Sequence, residues 1–473
     1  MSSRVRIAIV GGGISGLTAA YRLRHALGPD AHIDLVEASG RVGGVLHTTT
    51  VGERAVDVGA EAFIVRRPEA LELVTELGLA DRIVSPTPRR PAVWSGERLH
   101  PLPTPALMGI PAGPAVVDGL VDPDDLDRMT GEPERPLRWE AGGDIAVGQL
   151  VAERFGPSVV ARSLDPMLGG VYSSLAGDIG VREALPALAA RLDAGAPSLT
   201  AAVGDLITAG AGVSGPVFGA LVGGYAVLLD ALRTAAGVEP EILTPVTELA
   251  PSTEGWSLGF GAGRDPRSYD GVVLAVPAWR AGDLLHQCAP ELSAPLRAVR
   301  RASSVVVSIA LAPGTVLPEH SGVLVGTGEG LRAKAFTFSS QKWAHLAGPD
   351  LSGADRPVSV RASFGRFGAP VPDESTEPGV ADRLRREALE DLDEVCRATG
   401  VAPVSSRVVD VYVQRWDDGL PVYAPGHLAA MSQVLAARPS RLALAGSSYA
   451  GVGVPACIGR AGRAAAELLD DLA

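Results

Sequence analysis

Hydrophobic positions change period at the two ends of this chain in the same way, from short apolar runs to helical spacing across glycine-rich turns. Residues Val5 to Val10 (VRIAIV) form a nearly continuous branched apolar run, which predicts a buried parallel strand. Beyond Gly11–Gly13 the apolar residues Leu17, Ala20, Leu23 and Leu27 follow an approximately helical spacing, and Gly28 predicts the stop. His32 to Val36 reads as a second strand, ending in Glu37. Near the other terminus Leu442 to Ala445 (LALA) predicts a short strand followed by Gly446. Then Ile458, Ala461, Ala465, Leu468, Leu469 and Leu472 share one face of a last helix. Between these ends, Tyr225 to Leu232 after Gly223-Gly224 reads as a helix. Glu241 to Leu249 (EILTPVTEL) and Tyr269 to Pro277 (YDGVVLAVP) read as strands. Residues 96–200 combine Pro-rich loops, the acidic string VDPDDLD and several Ala/Leu-rich helices. Strands alternating with helices predict an α/β architecture with a parallel sheet.

The first turn carries chemistry. Gly11, Gly13 and Gly16 spell G-x-G-x-x-G between strand and helix, and Glu37 stands 21 residues beyond Gly16. Gly11 permits the tight turn, Gly13 lets backbone approach a pyrophosphate, and Gly16 lets helix and strand pack closely. The helix start offers free N–H groups to phosphate, and Glu37 can accept from ribose hydroxyls. Gly210, Gly212 and Gly215 repeat the spacing, but no convincing strand precedes them and Pro216 disrupts a helix start. That string reads as a flexible connection. At the far end Gly451-Val452-Gly453-Val454-Pro455 puts another positive helix end at a potential ligand.

Composition removes several alternatives. A chain of 473 residues exceeds one ordinary core, so two or three lobes are expected. The net charge of −12 argues against broad nucleic-acid binding. Cys288, Cys396 and Cys457 are widely spaced, without a C-x-x-C pair, and no H-x-x-x-H pair occurs, so neither disulfides nor a metal site are expected. No apolar run approaches the ~18 residues that a membrane span needs, and the start lacks the pattern of a secretory leader. Both point to the cytoplasm. Lysine occurs at Lys334 and Lys342 alone while arginine abounds, which reads as genomic bias.

Arg41-Val42-Gly43-Gly44 and Asp57-Val58-Gly59-Ala60-Glu61, placed after the acid-terminated strand, resemble the extended FAD motif of the flavin amine-oxidase superfamily. Interior strings resemble one branch of it, the oxygen-dependent coproporphyrinogen III/protoporphyrinogen IX oxidases. They are Arg98 to Pro103 (RLHPLP), Asp165-Pro166 through Gly170-Val171-Tyr172, Phe336 to Ser340 (FTFSS) with Lys342-Trp343, and Arg415-Trp416, Pro421, Tyr423 and Gly426-His427. The resemblance implies an α/β FAD-binding Rossmann-like domain of the p-hydroxybenzoate-hydroxylase/amine-oxidase type. This domain would be discontinuous (1–70, 220–288 and 405–473), with a mixed α+β substrate domain (71–95, 190–219 and 289–404) and a helical subdomain (96–189). It further implies six-electron oxidation of a porphyrinogen in haem biosynthesis, with FAD held non-covalently, O2 as acceptor and hydrogen peroxide as by-product. Coproporphyrinogen III is the favoured substrate, ahead of protoporphyrinogen IX. Transient contact with the next haem-pathway enzyme is a further expectation.

The implied cofactor residues are Gly11, Gly12, Gly13, Ile14, Ser15 and Gly16; Glu37, Ala38 and Arg41; Gly43, Gly44 and Val45; Gly59, Ala60, Glu61 and Ala62; Val246 and Trp416; and Gly446, Val452, Gly453 and Val454. Arg41 would lie by the phosphates and Gly59–Ala62 by the flavin. On the substrate side the candidates are Arg89 and Arg90 for propionates, Gly170 for close backbone approach, and Tyr172 and Phe336 for the ring pocket. No catalytic side chain is assigned, because hydride passes to flavin N5. Competing readings are an amine or amino-acid oxidase, a carotenoid desaturase, and a flavin-free binding protein of the Rab GDP-dissociation-inhibitor kind. Covalent attachment through Cys457 is disfavoured by its place after G-V-G-V-P-A.

Overall fold

The computed structural model describes residues 5–210, 215–253, 255–261, 263–348 and 355–473. Its centre is a four-stranded parallel sheet in the order His32–Val36, Arg6–Val10, Gly271–Leu274, Leu442–Leu444. Three remote stretches of chain thus meet in one sheet, as a discontinuous lobe requires. Alternation along Arg6–Val10 serves both faces: Ile7 and Ile9 enter one core, Ala8 and Val10 the other. The first core packs Ile14–Leu27, Pro68–Glu76, Tyr225–Ala236 and the last helix, Val454–Leu472. The second is closed by a three-stranded antiparallel layer (Glu248–Ser252, Gly255–Gly259, Arg267–Tyr269) and by helices Ala278–Leu285, Pro290–Arg297 and His427–Ala436. Each fully buried Leu, Ile or Val here contributes about 1.5–3 kcal/mol of burial free energy, and sandwiching between two layers fixes where the strand ends emerge.

Facing this lobe is a seven-stranded sheet ordered Val408–Pro421, Arg301–Leu311, Val358–Phe364, Ala335–Thr337, Gly322–Val325, Ala92–Ser95, Arg98–Pro101. Helix Val380–Ala398 covers one of its faces with Val380, Leu384, Ala388, Leu392 and Val395, a three-and-four spacing that keeps one stripe inward. A third core, around Val147, Leu150, Phe155, Leu168 and Val203, gathers the helices between residues 114 and 210.

Several sequence expectations are corrected. The strand expected over Glu241–Leu249 begins its ladder at Glu248. Pro245 lacks the N–H that a ladder needs, and the preceding residues instead hug the end of the second strand, Thr244 N donating to Glu37 O at 2.8 Å. The run Tyr269–Pro277 is divided, Tyr269 ending an antiparallel strand and Gly271–Leu274 joining the parallel sheet. Val408–Pro421 belongs to the seven-stranded sheet and not to the flavin lobe, because its register with Arg301–Leu311 is nearly continuous. Helix Leu199–Gly210 packs in the helical core, and Pro68–Glu76 packs against the last helix. The Gly210–Gly215 string is preceded by that helix; the connection itself, 211–214, lies outside the described residues.

Candidate active site

All four parallel strands point their carboxyl ends at one edge, where the glycine turns gather. Gly11 adopts φ of 107°, and its N–H donates to Val36 O at 2.8 Å, tying the first strand to the second. A Cβ on Gly16 would overlap the Gly11 carbonyl oxygen, and one on Gly11 would overlap that of Ala275. These two glycines are required by packing. Gly13 is extended, and a Cβ there would meet nothing nearer than the Gly44 Cα at 3.9 Å. Its bareness faces open space. Leu17 N–H is bonded to Gly13 O, so the first-turn N–H groups of Ile14, Ser15 and Gly16 have no helical acceptor.

The R-V-G-G loop lies alongside that helix start. Gly43 N–H donates to Gly12 O at 2.8 Å, and Gly13 and Gly43 form a parallel bridge. Arg41 spends its guanidinium on the carbonyls of Val42, Leu46 and Gly44 (3.1, 3.1 and 2.7 Å), with Trp416 beneath it at 5.6 Å. Arg41 thereby builds the loop. Burial pushes its pKa down, opposed by Glu37, and its positive charge stays close to the start of the first helix. Glu37 accepts from Gly12 N–H at 2.7 Å through one oxygen and from Ser39 N–H at 2.8 Å through the other. A carboxylate has about four acceptor sites, so lone pairs remain for ribose hydroxyls. Ala38, Gly44 and Val45 are exposed beside it, Val45 at 40% despite being apolar.

The last helix starts at the same edge. Gly453 caps it, exposed, with Val454 buried at the first turn. Ser15 Oγ, in the first turn of the first helix, donates to Cys457 O in the first turn of the last at 3.4 Å. The two helix N-termini therefore abut. Gly446 (φ 135°) and Gly451 (φ 128°) shape the turn between strand and helix. Tyr423 fastens that turn: its hydroxyl donates to Ser447 O at 2.6 Å and accepts from Gly451 N–H at 2.7 Å. The sequence alone gives Tyr423 no task, because nothing local shows that it reaches across to residues 447–451. The Cys457 thiol is buried, which pushes its pKa up to about 12, so it stays protonated and is a poor nucleophile.

Across the cleft the contacts are side-chain contacts. Gly59 cannot carry a Cβ, which would overlap Val45 O, and its own carbonyl accepts from Arg361 at 2.5 Å. Trp416 Nε1 donates to Val58 O at 3.0 Å. The Glu61 side chain is taken up by the opposite sheet: it accepts from Ser339 Oγ at 2.5 Å and Lys342 Nζ at 3.1 Å, with Arg361 at 3.7 Å. Burial pushes its pKa up, but Lys342 and Arg361 outweigh this and hold it at about 2. Glu61 is therefore a charged tie between flavin lobe and sheet, while Ala60 and Ala62 stay half-exposed.

Phe336 is not a pocket residue. It is 2% exposed in the core between sheet and helix, and its strand neighbours Ala335 and Thr337 take the opposite face, where Arg361 and Ser363 also lie. The period of two makes this a one-position error in facing. Arg89 and Arg90 lie on an exposed segment. Thr87 in the same stretch donates through its N–H to Lys342 O at 2.8 Å, so the pair emerges close to the Glu61 tie. Val246 is half-buried against the second core. Gly170 lies in helix Asp165–Tyr172, and a Cβ there would meet nothing within 4 Å. A π-helical turn, Val160–Leu164, leads into this helix; Pro166 has no N–H for the α ladder and crowds the carbonyl four residues back. Tyr172 packs its ring 6.0 Å from Tyr423, whose ring in turn lies 4.4 Å from His427.

A side-chain-free cradle opening on two adjacent helix N-termini fits the pyrophosphate of a dinucleotide. Among the described residues no cluster of His, Cys, Asp and Glu could hold a metal ion, and no helix is long and apolar enough to cross a membrane.

Comparison with known proteins agrees with this geometry. The chain is 46% identical over 464 residues to a coproporphyrinogen III oxidase of Mycobacterium tuberculosis, covering 98% of this chain and 97% of the relative. It is likewise 46% identical over 465 residues to one of Mycobacterium leprae, covering 98% of each. A crystal structure from Exiguobacterium sp. 255-15, described as a protoporphyrinogen oxidase, superposes with a TM-score of 0.82 at 27% identity, over 99% of this chain and 100% of that one. Residues 14–469 match the model of the flavin containing amine oxidoreductases, and the chain belongs to that family.

Proposed function

We propose that this protein is an oxygen-dependent coproporphyrinogen III oxidase that holds FAD non-covalently and forms coproporphyrin III in haem biosynthesis. The observation that carries this reading is the abutment of the first and last helices at Ser15 and Cys457, beside glycines that leave room for a dinucleotide. The first helix end and Glu37 would hold the pyrophosphate and ribose. The Gly451–Val454 helix end would face the pyrimidine side of the ring, where its positive dipole favours the reduced state. Flavin held there would supply two-electron acceptance, with O2 as the final acceptor and hydrogen peroxide as by-product. The protonated, buried Cys457 and the absence of another thiol at this edge among the described residues support non-covalent binding.

Little acid/base machinery is required of the chain itself. Its residues would hold a large apolar ring against the cofactor and exclude water. Gly170, with open space over its Cα, the exposed Val171 beside it and the Tyr172–Tyr423 ring pair supply such a surface. Arg89 and Arg90, exposed and without a side-chain partner among the described residues, would meet propionates. Four propionates on coproporphyrinogen against two on protoporphyrinogen make an arginine-edged site favour the former. Protoporphyrinogen IX is the second reading, favoured by the Exiguobacterium neighbour. We place the protein in the cytoplasm, with transient contact to the next enzyme of the pathway. Its net charge of −12 offers no general attraction to anionic lipid.

Both porphyrinogens offered separately in air test the reading through the appearance of porphyrin fluorescence. Faster turnover of coproporphyrinogen III is expected; faster turnover of protoporphyrinogen IX would exchange the two readings, and no turnover of either would remove both.

A further inference from the structure

Among the described arginines, those whose side chains make no hydrogen bond or ion pair with the protein are exposed, with one exception: Arg366 is half-buried. Its neighbours illustrate the contrast. Arg361 bonds Gly59 O, Arg415 bonds Pro372 O and Asp417, and Arg300 pairs with Asp178 at 3.3 Å while its guanidinium stacks on the Phe367 ring. A guanidinium carries five N–H donors in a fixed plane, and withdrawing them from water with no acceptor is costly unless a ligand supplies one. Burial lowers its pKa, opposed by Asp165.

The surroundings of Arg366 are strongly organised. Gly365 to Ala369 form a tight reversal in which Arg366 and Ala369 exchange backbone hydrogen bonds (3.1 and 3.0 Å). Phe367 N–H donates to Ser173 O at 2.8 Å, docking the reversal on the C-terminal end of the helix that carries Gly170. Buried Lys334 clamps the same junction, donating from Nζ to Ser173 Oγ at 2.9 Å and Gly365 O at 2.6 Å. Asp165, the acid whose charge opposes the lowering of the Arg366 pKa, gives its oxygens to Ala176 N–H at 2.8 Å and Thr327 Oγ1 at 2.9 Å and forms no ion pair with Arg366. Arg366 thus presents its planar donors beside a helical glycine with open space over it, while buried Lys334, whose pKa burial and Arg366 lower to about 7, holds the same junction. Unfilled planar donors on a guanidinium suit a carboxylate.

We propose that Arg366 binds a carboxylate on the rim of the substrate, anchoring a propionate while the macrocycle lies against Gly170, and so contributes to selection by carboxylate number. The proposal rests on the porphyrinogen reading. Ser173 is three residues beyond Gly170, less than one helical turn (about 5 Å), which an arginine side chain spans. The rigid Lys334–Ser173–Phe367 junction means that the anchor is already formed before substrate arrives.

The test compares wild type with Arg366→Gln and Arg366→Lys, each checked for flavin content. Binding of coproporphyrin III and of protoporphyrin IX is followed by fluorescence, alongside KM and kcat for both porphyrinogens. R366Q is expected to weaken coproporphyrin III binding and raise the corresponding KM about tenfold, the effect of losing one charge-assisted contact, with a smaller change for the two-propionate porphyrin and little change in kcat. R366K keeps the charge without the fork and should fall between; it also serves as the probe should R366Q lose its flavin. Wild-type affinity for coproporphyrin III in both variants, or equal losses for both porphyrins, overturns the role of Arg366 while leaving the enzyme reading intact. A wild type that oxidises neither porphyrinogen removes the reading itself.

Discussion

The two walls of the cleft are made of different materials. The wall formed by the four-stranded sheet is backbone: Gly11, Gly13, Gly16, Gly43 and Gly44 bring main chain against main chain, and two helix ends present N–H groups. The wall formed by the seven-stranded sheet is side chain: Arg361, Lys342 and Ser339 grip Glu61, Trp416 holds Val58, and Lys334 pins the Arg366 reversal to Ser173. A backbone wall excludes any added atom and serves every relative that uses the same cofactor. A side-chain wall can be exchanged residue by residue, which suits the part of a protein that selects among substrates.

Substitutions can break this contrast, and the largest effect is expected on the backbone wall. Gly16→Ala forces a Cβ into the Gly11 carbonyl, and the purified protein should be colourless or insoluble. Retention of full flavin absorbance would show that the close approach is not required. Next is Glu61→Gln, which leaves Lys342 and Arg361 without their counter-ion. Removing one partner of a buried pair costs about 3 kcal/mol or more, seen as a lower Tm at neutral pH. The pH dependence follows from the depressed Glu61 pKa of about 2: its stabilisation is present above the ordinary Glu value and is lost as pH falls from there towards 2. The variant should therefore show a flatter acid limb of Tm against pH; parallel limbs would contradict the tie.

Tyr423→Phe tests the coupling between the walls. It leaves Gly451 N–H and Ser447 O unpaired, about 1–3 kcal/mol, and should weaken flavin retention in dialysis more than it lowers Tm. Unchanged retention would reduce Tyr423 to packing. The smallest effect is expected at Gly170. Alanine there meets no neighbour and improves helix propensity by up to about 1 kcal/mol, so Tm should rise slightly while KM for coproporphyrinogen III increases. A rise in Tm with unchanged KM would remove Gly170 from the substrate surface.

The same contrast explains what the sequence disclosed. A backbone wall restricts residue type, so Gly11, Gly13, Gly16 and the strand and helix around them were legible, as were Leu442–Ala445 and the last helix. The side-chain wall leaves little trace, because Glu, Arg and Lys are acceptable almost anywhere on a surface. Nothing local reveals that Glu61 meets Lys342, or that Arg366 lacks a partner. Aromatic character does not say which face of a strand Phe336 takes, and the apolar content of Glu241–Leu249 hides the break that Pro245 imposes. Nor does the sequence show that Val408–Pro421 pairs with Arg301–Leu311, about a hundred residues away.

The central claim is that both helix ends serve one flavin which takes electrons from a tetrapyrrole held by the opposite wall. Anaerobic mixing of flavin-loaded protein with limiting coproporphyrinogen III tests it directly, since six electrons at two per flavin should bleach three flavins for each coproporphyrin formed. Flavin that stays oxidised while the substrate remains colourless would contradict it.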